Sequence, residues 1–442
     1  MSPRTEIALP RLLAGMPEHG ALGLADHRAI HGELPCGTRR ERRERRGAGA
    51  LVELVEQAGL RGRGGAAFPV ARKLRAVTAA AGRTPLGKRP IVLANASEGE
   101  PASGKDRLLL ESLPHLVLDG GVLAARAVGA DELIVCVEES ATIALQSLAR
   151  ALSERERAGG DALRIGIQTV PHGYVSGQES ALVNLCNGGP AKPTLTPPMP
   201  FQRGVRRRPT LINNAETLAQ LALIARYGSR WFRALGTPAD PGSALVTLSG
   251  AVARPGVYEI EHGAPLPALI DAAGGSTSGL RAVLLGGYGG AWVDAGAIPE
   301  LALANDQLAA HGASLGAGVV VLLSERACPV AETARVTRWL ATQSAGQCGP
   351  CVHGLDAIAG AIEALAHGAA TAGVGQRIAR WCSLASGRGA CRHPDGAVRF
   401  IASGLEVFAK EFADHAAHGR CDTCASAPEL PVPGHVELAA AA

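Results

Sequence analysis

The sequence predicts a multi-domain α/β protein with a separate helical C-terminal part, and three observations carry that expectation. Short apolar stretches alternate with helix-length segments through the first half of the chain. Near Gly236-Thr237-Pro238 the pattern becomes strand-rich. From Cys328 onward it turns helical, with cysteines where the helices would end. A chain of 442 residues has room for several units at roughly 150 residues each.

Residues 1–50 read as a polar lead-in with little periodicity. Ile91-Val92-Leu93, Leu133-Ile134-Val135-Cys136-Val137 and the weaker Leu163-Arg164-Ile165-Gly166-Ile167 are the strands, with helices expected near 107–129 and 139–157. Such alternation implies a parallel sheet. In the middle part Val246, Leu248 and Val252 alternate with Thr247 and Ser249. Pro255-Gly256 makes a turn, and Leu266-Pro267-Ala268-Leu269-Ile270 opens a short helix that ends at Gly274-Gly275. In the last part Leu355, Ile358, Ile362 and Leu365 fall on one helical stripe, as do Ile401, Leu405, Phe408 and Phe412.

The formal charge of +4 is small and dispersed, which excludes nucleic acid as the partner. The dense run Arg39–Arg46 is interrupted by Glu41 and Glu44 and reads as a solvated face. Met1-Ser2-Pro3-Arg4-Thr5-Glu6 has no signal pattern, and no apolar run approaches the ~20 residues of a membrane span. A cytoplasmic protein without direct membrane insertion is expected. Ten cysteines in such a chain point to metal or redox chemistry, and Cys348/Cys351 and Cys421/Cys424 have CxxC spacing.

The stretch Gly59-Leu60-Arg61-Gly62-Arg63-Gly64-Gly65-Ala66-Ala67-Phe68-Pro69, followed by Lys73, concentrates glycine and positive charge. Glycines let backbone N–H groups converge on one point, the geometry of a phosphate nest. Gly62, Gly64 and Ala67 also fit a GxGxxA dinucleotide fingerprint. That fingerprint follows a strand and is trailed by an acid about 20 residues later. Here Leu51–Ala58 looks helical and no acid stands between Glu56 and Glu98. By itself the stretch leaves a phosphate nest and a surface Gly/Arg loop both open.

Three further segments, in this order, add to it: Asn95-Ala96-Ser97-Glu98-Gly99-Glu100-Pro101 with Lys105-Asp106-Arg107; Gly173-Tyr174-Val175-Ser176-Gly177-Gln178-Glu179-Ser180-Ala181-Leu182; and Pro209-Thr210-Leu211-Ile212-Asn213-Asn214-Ala215-Glu216-Thr217. With the glycine stretch they resemble the flavin-bearing, NADH-oxidising subunit of respiratory complex I and related diaphorase subunits of hydrogenases and formate dehydrogenases. The resemblance covers about 50 to 415. It implies an FMN/nucleotide-binding α/β domain over 51–240, a soluble-ligand-binding β-grasp domain over 243–325 and a helical iron–sulfur domain over 328–417; residues 418–442, Pro- and Ala-rich from Ala425, read by composition as a disordered tail. It also implies that Gly62, Arg63, Gly64, Gly65 and Lys73 hold the FMN phosphate. Asn95, Glu98, Gly177, Glu179, Asn213, Asn214 and Thr217 would line the flavin and the nicotinamide nucleotide. Singly, Glu98 and Glu100 would read as an exposed acidic turn and Asn213-Asn214 as a helix cap.

The implied activity is oxidation of NADH or NADPH at FMN, with electrons passing through a [4Fe–4S] cluster to a ferredoxin-like or complex-associated redox subunit. The flavin carries the chemistry, so no residue is required as acid or base. The alternative is a degenerate, non-catalytic scaffold subunit of a redox complex. Departures from the family pattern bear on that choice. Ser97 stands where the family has Asp, Gln178-Glu179 where it has a Glu pair, and Ala76 and Met199 where it has nucleotide-packing phenylalanines, while Phe68 is kept. Each lost ring is worth about 1 kcal/mol of stacking.

The cluster motif departs too. The family's Ser-Cys-Gly-x-Cys-x-Pro-Cys reads here Ser344-Ala345-Gly346-Gln347-Cys348-Gly349-Pro350-Cys351, so the first ligand is alanine. A cubane normally takes four thiolates. The expected set is Cys348, Cys351, Cys391 and, in place of the missing ligand, Cys382. Cys421 and Cys424 are expected to stand outside this cluster, since one pair supplies only two of the four ligands of a closed site.

Overall fold

The computed structural model describes residues 9–35, 46–82, 89–369 and 373–433, so most of the Arg39–Arg46 run and residues 434–442 lie outside it. The chain forms two compact units. One comprises Met1–Gly99, Gly104–Leu245 and Glu259–Gly263, the other Glu100–Ser103, Val246–Tyr258 and Ala264–Ala442.

In the first unit the helices are α1 Leu24–His31, α2 Arg46–Ala58, α3 Val70–Gly82, α4 Lys105–Ser112, α5 Pro114–Val128, α6 Thr142–Arg157, α7 Glu179–Cys186 and α8 Ala215–Phe232. The strands are β1 Ile91–Ala96, β2 Glu132–Glu138, β3 Arg164–Val170 and β4 Thr210–Asn214. They form one parallel sheet in the order β3-β2-β1-β4. In β1 every residue but Asn95 is buried, as expected of a strand covered on both faces. Helix α5 is buried on nearly every side. Gly120 lets it approach α8, because a Cβ there would fall 1.9 Å from the Leu218 carbonyl oxygen.

The strand order has a functional consequence. From β1 the chain moves outward to β2 and β3, then returns to place β4 on the opposite side of β1. Asn95 near the end of β1 is in register with Asn214 at the end of β4. Open parallel sheets bind ligands beyond the carboxyl ends of the strands at such a reversal.

The second unit is built on a five-stranded mixed sheet of β5 Ser243–Gly250, β6 Gly256–Glu261, β7 Leu280–Leu285, β8 Ala291–Asp294 and β9 Val319–Ser324, ordered β6-β5-β9-β7-β8. Helix α9 Leu266–Ala272 and the single turn α10 Asn305–Leu308 lie in its crossovers. Five helices follow: α11 Pro329–Thr342, α12 Asp356–Ala366, α13 Val374–Ala385, α14 His393–Val407 and α15 Ala409–His418. The strand-rich and helical parts share a core. The ring of Trp292 lies 5.9 Å from Phe400 and 5.2 Å from Phe408, and Tyr288 lies 5.8 Å from Trp339. Each such pair contributes about 0.5–1.5 kcal/mol beyond area burial. Both helical stripes are buried except Leu405, which is half-buried beside Gly404.

Two segments carry more structure than their composition suggests. Within the lead-in, α1 buries His27 and His31. His27 Nε2 lies 2.8 Å from Asp119, whose other oxygen accepts Arg155 Nη1 at 2.7 Å. Within the expected tail, residues 418–433 make specific contacts. Glu429 accepts the Ser324 N–H at 2.8 Å, its own N–H donates to Glu332 at 2.8 Å, and Leu430 and Val432 are buried. A polar clamp holds this segment, and hydropathy does not report such clamps.

His31 generates a pH prediction. Burial, with the neighbouring His27 and Arg226, pushes its imidazole down to about 4, and neither ring nitrogen has a partner among the described residues. Unfolded chains bind that proton near pH 6.5, so the contribution is complete above about pH 6.5 and is lost as pH falls toward about 4. Urea unfolding followed at pH 7 and pH 5 should show a loss of stability that His31→Leu reduces by about 2 kcal/mol. Parallel profiles for variant and wild type would exclude His31 as the source.

Candidate functional site

The glycine stretch closes on itself before α3. Gly62 N–H donates to Phe68 O at 2.9 Å and Val70 N–H to Leu60 O at 3.0 Å. Gly65 has φ +102°, and Ala67 is held at φ +47°, a conformation that costs a non-glycine residue energy and concentrates at binding sites. The loop lies against the end of β4, since a Cβ on Gly64 would stand 3.3 Å from the Asn214 Cβ.

Two cations of this stretch have different surroundings. Arg63 is buried and turned inward. Its N–H donates to Thr217 Oγ1 at 2.8 Å, its Nη2 to Ser243 O at 3.1 Å, and its Nε lies 3.8 Å from Glu216. The guanidinium therefore ties the loop to α8 and to Ser243, all within the first unit. Lys73 is half-buried, with Nζ 3.2 Å from Ile212 O and 2.5 Å from Glu179 Oε1.

The amides organise the strand ends. Asn95 Nδ2 donates to Gly177 O at 2.8 Å, and its Oδ1 accepts Ser97 N–H and Oγ–H at 3.2 and 2.8 Å. This joins the 95–99 loop to the 173–178 loop so closely that a Cβ on Gly177 would lie 2.7 Å from Ser97 Oγ. Glu98 caps α4, accepting the N–H groups of Asp106 and Arg107 at 3.1 and 3.0 Å. Asn214 caps α8 through the Glu216 N–H at 3.1 Å. Asn213 is buried, and its Nδ2 has no partner among the described residues.

Lys105 is a residue of this region that the motifs alone do not single out. It is buried with Nζ 2.8 Å from Asp106, 3.0 Å from Glu216 and 3.2 Å from Asn214 Oδ1. Burial opposes its charge, but the carboxylates of Asp106, Glu216 and Glu98 outweigh it and hold the amine protonated. Its only sequence signal is the Lys105-Asp106-Arg107 motif, and nothing local shows that the charge is buried. Gln178, standing where the family has a carboxylate, caps α7 by accepting the Ser180 and Ala181 N–H groups at 2.7 and 3.0 Å. Phe68 and Met199 are exposed, with the Arg72 guanidinium 5.7 Å from the Phe68 ring.

In the second unit Cys348 and Cys351 share one turn, with the Cys351 N–H on the Cys348 carbonyl at 3.2 Å. Burial pushes the Cys351 thiol up to about 12, and the neighbouring Cys348 and Cys391 act in the same direction. Cys382 is buried on α13, and burial alone raises its thiol to about 11. Ala385, one turn further on that helix, packs on the 350–355 turn, its Cβ 3.6 Å from where a Cβ on Gly354 would stand. A separate group, Cys328, His415, Cys421 and Cys424, brings its donor atoms within 4.8 Å of one another.

Comparison with known proteins adds to this geometry. Residues 55–223 match the family described as Nuo51 FMN-binding domain, 245–287 the SLBB domain, and 331–415 the NADH-ubiquinone oxidoreductase-F iron-sulfur binding region. The chain is 34% identical to the second NADH-quinone oxidoreductase F subunit of Rhizobium meliloti (strain 1021) over 383 residues, 84% of this chain and 90% of that protein. The chain belongs to the NADH-quinone oxidoreductase F family. It is also 36% identical over 274 residues to the NAD-reducing hydrogenase HoxS subunit alpha of Cupriavidus necator, 60% of this chain and 44% of that one. The crystal structure of an NAD+-reducing [NiFe]-hydrogenase in the air-oxidized state superposes with a TM-score of 0.77 at 33% identity, covering 89% of this chain and 66% of that chain.

The residues of this member of the oxidoreductase F family fit an FMN group. An orphaned buried amide at Asn213 on β4, a strained backbone at Ala67 in the loop and the Lys73 ammonium of α3, beside Ile212 O of β4, belong to one sheet reversal. Ring edges and phosphates satisfy such groups. The thiols of Cys348, Cys351 and Cys391 have the donor chemistry of an iron–sulfur cluster. Among the described residues no single helix is long and apolar enough to cross a membrane.

Proposed function

We propose that this chain takes electrons from a reduced nicotinamide nucleotide at FMN and passes them through an iron–sulfur cluster to a redox partner protein. The observation that carries the reading is the glycine loop set against Asn214, which is in register with Asn95 at the β1/β4 reversal. Bound FMN supplies the change from two-electron to one-electron transfer. The protein's part is binding and orientation. Gly62, Arg63, Gly64, Gly65 and Lys73 form the phosphate end. Arg63 contributes through its anchoring of the loop and Lys73 through its charge. Asn95, Glu98, Gly177, Glu179, Asn213, Asn214 and Thr217 shape the flavin and nucleotide end. Several of them act by fixing backbone, as the caps made by Glu98 and Asn214 do.

For the cluster, Cys348, Cys351 and Cys391 are the assigned ligands, and Cys382, on a helix packed against the same turn, is assigned the fourth place. A ferredoxin-like or complex-associated redox protein is the acceptor that the chemistry requires. The relatives named above are themselves subunits by name. A cytoplasmic setting is supported by the free thiols of all nine described cysteines.

Replacing Lys73 by Glu sets a carboxylate against the phosphate. Retained FMN should fall at least about tenfold, the equivalent of ~1.4 kcal/mol. A wild type that binds no FMN after reconstitution would instead identify a non-catalytic scaffold.

Donor choice follows from the 178–179 pair. Gln178 carries no charge to repel a 2′-phosphate, and the Glu179 carboxylate is matched by Lys73. In stopped-flow reduction, NADH and NADPH should therefore reduce the flavin with rates within about tenfold of each other. A strong NADH preference would contradict this.

Cys382→Ser should lower the iron bound per chain and change the cluster's EPR spectrum. An unchanged spectrum would remove Cys382 from the ligand set.

A further inference from the structure

The cysteine pair at the end of the chain is joined by two ligand-type residues from elsewhere in the second unit. Cys328 precedes α11 and His415 lies on α15, and both are buried. Cys421 precedes the single helical turn Asp422–Ala425, and Cys424 lies within it. The Sγ atom of Cys424 lies 3.5 Å from that of Cys421, 3.5 Å from that of Cys328 and 3.8 Å from His415 Nε2, which in turn is 3.5 Å from Cys328 Sγ.

We propose that Cys328, His415, Cys421 and Cys424 bind one zinc ion, distinct from the iron–sulfur ligands, which fastens the C-terminal segment to the helical bundle. With zinc–sulfur bonds of about 2.3 Å and zinc–nitrogen bonds of about 2.0 Å, tetrahedral geometry sets sulfur–sulfur edges near ~3.8 Å and sulfur–nitrogen edges near ~3.5 Å. The observed separations match these edges to within a few tenths of an ångström.

The imidazole is oriented for the role independently of the thiols. His415 Nδ1 lies 3.2 Å from the Leu365 carbonyl oxygen. A carbonyl only accepts, so Nδ1 carries the proton and Nε2 presents its lone pair to the sulfurs. This second contact is the usual arrangement of a metal-binding histidine. Disulfides do not account for the cluster, because the sulfurs are 3.5 Å apart and a disulfide bond is about 2.05 Å. Three sulfurs and one nitrogen in a closed, tetrahedral set select zinc among divalent ions. The site explains how a terminal CxxC acquires four ligands. It also explains how the residues that follow reach Glu332 and Ser324 in a fixed register.

Zinc binding here is independent of whether FMN occupies the first unit. The test uses the full chain, purified under reductant without chelator, reconstituted with zinc(II) and dialysed, with zinc and iron measured together. Wild type should retain about one zinc per chain. Cys424→Ser should retain about a tenth of that or less, with iron and flavin contents unchanged. Cobalt(II) loaded in place of zinc should give the wild type the intense thiolate-to-cobalt and tetrahedral d–d bands, and the variant should lose them. The cobalt spectrum of the wild type tests the site even if the variant fails to fold. A wild type that retains no zinc and gives no such bands would overturn the proposal. So would iron lost in parallel with zinc in a folded variant, which would place these residues in the cluster.

Discussion

Lys105 carries its charge inside the first unit, where it and its neighbour Asp106 in the first turn of α4 meet a segment more than a hundred residues further along the chain. In that segment Asn214 ends β4 and Glu216 lies in the first turn of α8. Glu216 also accepts the Leu245 N–H at 2.9 Å and faces Arg63, so the glycine loop is tied to the same charge network. A buried ammonium is tolerated only when carboxylates and amide oxygens surround it, and removing one partner of such a set costs about 3–5 kcal/mol. The polar groups at the β1/β4 reversal are therefore fixed by a charge constraint, added to the apolar packing of the two strands.

That constraint divides the labour among the site residues. Arg63, Glu98 and Asn214 have roles in capping and anchoring, each with partners inside the protein. Asn213 and the loop backbone at Gly65 and Ala67 retain unmet capacity or strain, while Lys73 is paired with Glu179. Preorganisation of this sort lowers the entropy lost on binding an extended cofactor. The departures from the family pattern fall elsewhere, at Ala76, Ser97, Gln178 and Met199. Gln178 keeps a structural duty as a helix cap although it lacks a charge, so substitution there alters the electrostatics while leaving the turn intact.

In the second unit the aromatic contacts of Tyr288, Trp292, Phe400 and Phe408 join the sheet to the bundle. The polar contacts of Glu332 and Glu429 then carry the chain back across it. Glu100, from the acidic motif, is likewise buried and accepts the Tyr288 N–H at 2.8 Å rather than forming an exposed turn. A short polar segment with two buried apolar residues, Leu430 and Val432, is stabilised by such carboxylate–backbone bonds because each satisfies a donor that burial would otherwise strand.

The architecture and the family were legible in the amino-acid order. Strand and helix periods depend on local side-chain patterns, and four motifs in fixed order needed no coordinates to be read. The absence of a thiol at Ala345 was legible too. What the charged and thiol groups face was settled by tertiary contacts. The lead-in helix α1 became buried around Asp119, Arg63 turned inward, and the Cys421/Cys424 pair met Cys328 and His415. Those outcomes depend on contacts between residues far apart in the chain, 96 positions in the case of Cys328 and Cys424. Local periodicity carries no information at that range, because burial of a polar group depends on which distant partner arrives to satisfy it.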